Sequence, residues 1–165
     1  VDLPTGEVKL SYERIVKQPL EVWNKSDPVS LEINGFTWEK MQGGVSEDTV
    51  AKEIIQLFNE HQILRGKSIY ICQNPAFDRT FFTQLIDIPT QESFQWPYHW
   101  LDLASMFWAF FVQSIHDKRE SYPEELNLSK NAIASRYGLP IESYPHSALN
   151  GVDHLLLCYR TVIGF

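Results

Sequence analysis

The sequence predicts an α/β fold, and three observations predict it. The run Ser68-Ile69-Tyr70-Ile71-Cys72, rich in β-branched and aromatic residues, stops at Asn74-Pro75 and passes into a helical pattern. A second run, Tyr98-His99-Trp100-Leu101-Asp102-Leu103, leads directly into an apolar helical stretch. Ahead of both, Val50, Ile54, Leu57 and Phe58 recur on one helical face. Strands that feed helices belong to a sheet flanked by helices. At 165 residues the chain suits one domain with a core of its own.

Composition narrows the function classes. A net charge of −7 is the wrong sign for gripping a long nucleic-acid duplex by counterion release. It is compatible with an enzyme that handles a strand end, where carboxylates hold metal ions and the metals face the phosphate. The chain has no uncharged apolar run of about 18 residues, the length that reads as a membrane-spanning helix. Val1-Asp2-Leu3-Pro4-Thr5-Gly6-Glu7 is not a signal-peptide pattern. Two cysteines, Cys72 and Cys158, fall in apolar elements and read as buried free thiols of a reducing cytoplasm.

In chain order, Val1 to Val16 reads as a hairpin at a sheet edge, with Pro4-Thr5-Gly6 as turn chemistry and Val8, Leu10 and Tyr12 alternating. Leu20 to Gly44 reads largely as loop, broken by Asp27-Pro28 and Gly43-Gly44. Within it, Ile33-Asn34-Gly35-Phe36-Thr37 makes a surface turn with Gly35 at positive φ. Ser46 caps a helix to Gln62, with Glu47 and Asp48 in its first turn. Pro75 suits the first position of the helix after the first strand, and Phe77, Phe81, Phe82 and Leu85 would face a core. Asp78 lies in the first turn of that helix. A lone Asp there favours the helix dipole, but ligands of open α/β sheets bind at this end of a strand.

Pro89 to Pro97 reads as loop, His99 as a strand residue, and Asp102 as the cap of the next helix. Residues 103–115 are apolar nearly all round, which means a core helix or, as the second choice, a face for a homodimer or protein partner. His116 to Glu125 is a polar loop. Ser129 and Gly138 bracket a short helix, and a final helix starts around Pro145-His146 and runs through Ile163.

Asn74-Pro75-Ala76-Phe77-Asp78 resembles the second motif, Asn-x-x-Phe-Asp, of the DEDDh 3′→5′ exonucleases. This is the family of ribonuclease T and of the proofreading subunit of bacterial replicative polymerases. His146 with Ala148 resembles the third motif, His-x-Ala-x-x-Asp, and Ile33 to Thr37 resembles a pocket segment in which Asn34 replaces a His. The hairpin resembles the family's second and third strands. The resemblance implies a ribonuclease-H-like fold, a mixed sheet flanked by helices, over one domain at 1–165. It implies hydrolysis of DNA or RNA from the 3′ end, releasing nucleoside monophosphates, with two Mg²⁺ or Mn²⁺ ions. His146 would be the general base and Asp78 an acidic metal-site residue. Ile33, Asn34, Gly35 and Phe36, with Asn74 and Phe77, would shape the pocket for a single-stranded or 3′-terminal nucleotide.

Two departures accompany the resemblance. The family's first strand carries Asp-x-Glu, and here Asp2-Leu3-Pro4 has Pro4 in place of the Glu, too close to Val16 to fit strand, loop and strand. The chain therefore reads as a portion that starts after the first motif. In the third motif Gly151 stands where the Asp belongs, and Asp153 lies two residues on, about 200° around a helix. Either an irregular helix start swings Asp153 in as a metal ligand or the third carboxylate is absent; the rotation favours absence. A catalytically degenerate module of the same fold, binding nucleic acid or protein, is the rival reading.

Overall fold

The computed structural model describes residues 1–144 and 146–164. It is a mixed α and β structure: a two-stranded parallel sheet of β1 (Tyr70–Cys72) and β2 (Trp100–Asp102), with helices around it. Tyr70 pairs with Trp100, Ile71 with Leu101 and Cys72 with Asp102. The connection between them carries α5 (Pro75–Leu85) and α6 (Ile88–Ser93), because parallel neighbours need a crossover.

Both strands hand over to helices as the sequence predicts. Pro75 takes the first position of α5. Asp102 caps α7 (Leu103–Lys118), accepting from Ala104 N and Ser105 N. Every fourth residue of α7 is buried: Leu103, Phe107, Phe111 and Ile115. This stripe packs with Ile133 and Ala134 of α8 (Lys130–Arg136) and with Cys158 and Tyr159 of α9 (Ala148–Tyr159). The apolar helix at 103–115 is thus a core helix, although Phe110 stays exposed. Both cysteines are free and buried. No helix among the described residues is long and apolar enough to cross a membrane.

The N-terminal hairpin does not form. Asp2 N donates to Glu7 O and Gly6 N to Asp2 O, so the turn at Pro4-Thr5-Gly6 is present. Beyond it the chain runs extended without a ladder, and among the described residues its one β contact is the parallel bridge of Val16 to Val45. Alternation identifies an extended segment, but side-chain contacts to other elements hold this one: Tyr12 Oη and Arg14 Nε both reach Glu53 of α4 (Glu47–Glu60), at 2.7 and 2.9 Å. The bridge also accounts for Gly44, since a Cβ there would lie 2.4 Å from Ile15 O.

Four further segments differ from expectation. The loop of 20–44 holds three short helices: α1 (Leu20–Trp23), α2 (Pro28–Asn34) and α3 (Trp38–Gln42). Asp27 and Thr37 cap the last two, so Asp27-Pro28 is a cap and first position, not a breaker. Likewise Asp87 accepts from Thr90 N and starts α6 where a loop was expected. The polar residues after 115 continue α7 to Lys118 because their solvent-facing side chains do not oppose a helix. In α5, Phe82 and Leu85 are half-buried, but Phe77 and Phe81 point outward as a tilted pair, ring centroids 4.8 Å apart.

Candidate functional site

Residues of β1 (Tyr70 and Cys72) and of α5, from Asp78 to Leu85, border a groove of about 630 Å³. Its lining is rich in aromatics: Phe58, Tyr70, Phe81, Phe82 and Trp100 line it, and the Tyr70 and Trp100 rings stack at 4.1 Å. Val16 and Gln18 of the extended segment line it as well, together with Asp78 and Glu47. A neighbouring cleft of about 730 Å³ shares Gln18 and Glu47 with it and is lined further by Lys17, Leu20 and Trp38.

Asp78 sits where the strand-to-helix junction places it. Burial pushes its carboxyl above the usual value, partly offset by hydrogen bonds from backbone and from the Cys72 thiol. Burial above all, then the Asp78 contact and the Asp102 carboxylate, pushes the Cys72 thiol up to about 12. Asn74 opens the helix at φ 61°, a left-handed conformation that Asn tolerates better than most residues. Its N–H donates to Asp102 Oδ1 at 3.0 Å. Asp102 therefore caps one helix and pins the start of another, and its carboxyl stays low: these hydrogen bonds outweigh the upward push of burial.

His146 belongs to a second cluster, built from α8, α9 and the loop between them. Its Nδ1 lies 2.5 Å from Glu142 Oε1. Glu142 Oε2 lies 2.8 Å from Lys130 Nζ, which also donates to Gly151 O at 2.8 Å. The Glu142 carboxyl is held low, since Lys130 and His146 outweigh its burial. Gly151 is where the cluster closes: a Cβ there would stand 3.2 Å from both Glu142 Oε1 and His146 Cε1. Sequence reasoning missed Glu142 and Lys130. The available signal was the glycine inside a helix, which costs roughly 1 kcal/mol against Ala and so points to close packing.

The remaining predicted site residues divide between these places. His146 N donates to Ile33 O at 3.1 Å and Tyr144 Oη to Glu32 O at 3.2 Å, so the 33–36 segment lies beside His146. Gly35 has φ 61°, as expected, but as the C-cap of α2. Asn34 ends that helix with its side-chain amide bonded back to Ser30 O, while Ile33 and Phe36 are exposed. Phe77 is exposed beside Asp78. Asp153 is exposed on α9 next to the buried His154, so the helix start is regular and does not swing it inward. Pro145, named with His146 as the expected start of the final helix, lies outside the described residues.

The family resemblance implies Mg²⁺ or Mn²⁺, which need several oxygen donors converging on one point. Among the described residues no group of three or more His, Cys, Asp or Glu side chains converges in this way. At the groove the neighbour of Asp78 is a protonated thiol, and at the second cluster Glu142 is engaged by an ammonium group. These donor sets do not fit a two-metal centre, and no hydrolytic step through metal is derived from them. Comparison with protein-family models, curated proteins and solved structures finds no match for the chain.

Proposed function

We propose that this chain is an exonuclease-type domain of ribonuclease-H-like fold that acts at the 3′ ends of DNA or RNA and releases nucleoside monophosphates in a reducing cytoplasm. The observation that carries this reading is the place of Asp78: the first turn of the helix after β1, lining a groove rich in aromatic side chains. Ligands of α/β sheets bind there, and aromatic surfaces such as the exposed Phe77–Phe81 pair suit stacking on bases. His146, adjacent to the 33–36 segment, is the general base of this reading. The unassembled donor set favours a second reading, a module of the same lineage that binds strand ends without cutting them.

Digestion of a 3′-overhang duplex and a 5′-labelled single strand, with Mn²⁺ and with EDTA, separates the two. The hydrolase reading expects metal-dependent shortening from the 3′ end, abolished in Asp78→Ala and slowed about 10²–10⁴-fold in His146→Ala. With the 165-residue chain alone, the expected digestion is weak, because its own carboxylates do not gather. Binding of both substrates without any shortening, from folded protein, selects the second reading. Neither binding nor shortening discards both.

A further inference from the structure

The cluster around His146 does more than fill space. His146 Nδ1 and Glu142 Oε1, 2.5 Å apart, form a close ion pair when the imidazole is protonated, and the nearby carboxylate favours a proton on that nitrogen. The side chains of Glu142 and Lys130 are 11% and 15% exposed, whereas His146 is 43% exposed. The carboxylate is thus a fixed, shielded group and the imidazole faces outward from it. Lys130 is fixed in turn by the carbonyl of Gly151. A residue larger than glycine at 151 would press on Glu142 and His146 together.

We propose that Glu142 is a positioning residue for His146: it holds the Nδ1 proton and so presents Nε2 as the basic nitrogen, with Lys130 clamping the carboxylate and Gly151 leaving the space. The inference rests on His146 being the general base of the proposed exonuclease. When Nε2 accepts a proton from water, the Nδ1 proton stays in place and the resulting imidazolium faces an ionised carboxylate. On this account Gly151 is not merely a lost Asp. It is the packing condition for a charged pair that the sequence pattern does not reveal.

The test reads the tautomer directly, without substrate. Long-range ¹H–¹⁵N correlation spectra of the full chain, labelled at histidine and recorded above the imidazole titration, distinguish the two ring nitrogens. The expected result is a protonated Nδ1 and a bare Nε2 for His146 in the native protein. Glu142→Ala should convert it to the Nε2–H form. If that variant fails to fold, Lys130→Met combined with Glu142→Met removes both charges together and should give the same conversion. A native His146 protonated at Nε2, or a tautomer unchanged in the folded variants, overturns the proposal. Failure of the exonuclease reading shows in the digestion assay instead and leaves the tautomer result standing.

Discussion

Residues 1–49 and residues 103–159 are built on opposite terms. The first stretch contains no buried residue; the first one in the chain is Val50. The second holds the main core, in which Leu103, Ile133 and Cys158 are fully buried. Burial of apolar surface dominates folding free energy, so stability concentrates in α7, α8 and α9, while the N-terminal stretch is held largely by polar contacts, chiefly to α4 and at the start of α9. The two regions supply different candidate places: residues 1–49 help line the groove, and residues 103–159 carry the His146 cluster. Val16 and Gln18 line the groove, Ile33 O receives His146 N, and Glu13 Oε1 accepts from Leu149 N at the start of α9. Contacts that join a lightly held arm to a core can open locally without unfolding the domain.

The largest effect should come from the core. Ile133→Ala leaves a cavity at a fully buried site and should cost about 2–5 kcal/mol, read from the denaturant midpoint. A loss below about 1 kcal/mol would mean that the α7–α9 cluster is not where stability resides.

Asp102→Ala should follow, at about 1–2 kcal/mol, by removing the cap of α7 and the acceptor of Asn74 N–H. Because the Asp102 carboxyl is held low, its contribution is present above the ordinary value of 3.8 and is lost as pH falls through the folded-state value. Unfolding of native and Asp102→Ala proteins at pH 7 and in acid checks this: the difference between them should shrink in acid.

Asp78→Asn should act in the other direction. Burial raises the Asp78 carboxyl, so the contribution of this group to stability is present below 3.8 and disappears as pH rises through its folded value. At pH 7 the ionised group therefore costs stability, and its neutral amide should raise the melting temperature slightly. A lower melting temperature in Asp78→Asn would assign Asp78 a structural role instead.

The smallest effects belong to the arm. Val8 and Leu10 are 48% and 45% exposed, so Val8→Ser and Leu10→Ser should each shift stability within about 0.5 kcal/mol. A larger loss would show that the arm is packed more firmly than its exposure indicates.

Much of the site was legible because its signals are local. Asn74-Pro75, followed by Asp78, announces a strand-to-helix junction with a carboxylate in the first turn, and the structure has it there. Ser46, Asp102 and Ser129 were readable as caps, since a cap depends on a hydrogen bond to a residue two or three positions on. The outward turn of Phe77 and Phe81 was not readable. Helical spacing marks a shared face, but which face meets the core depends on the partner elements that the tertiary fold supplies.

By itself, then, the sequence determined the two strands and the helices that follow them, the caps at Ser46, Asp102 and Ser129, the apolar character of α7 and the place of Asp78 along the chain. All of these follow from period and from neighbours a few residues apart. Only the tertiary structure decided that residues 7–16 lie extended without forming a hairpin, because pairing needs a partner strand in reach and not alternation alone. It also decided that Lys130 and Glu142, twelve residues apart in sequence, meet His146 at Gly151. Charge pairing of that kind depends on distance and burial in space, and no periodicity along the chain records it.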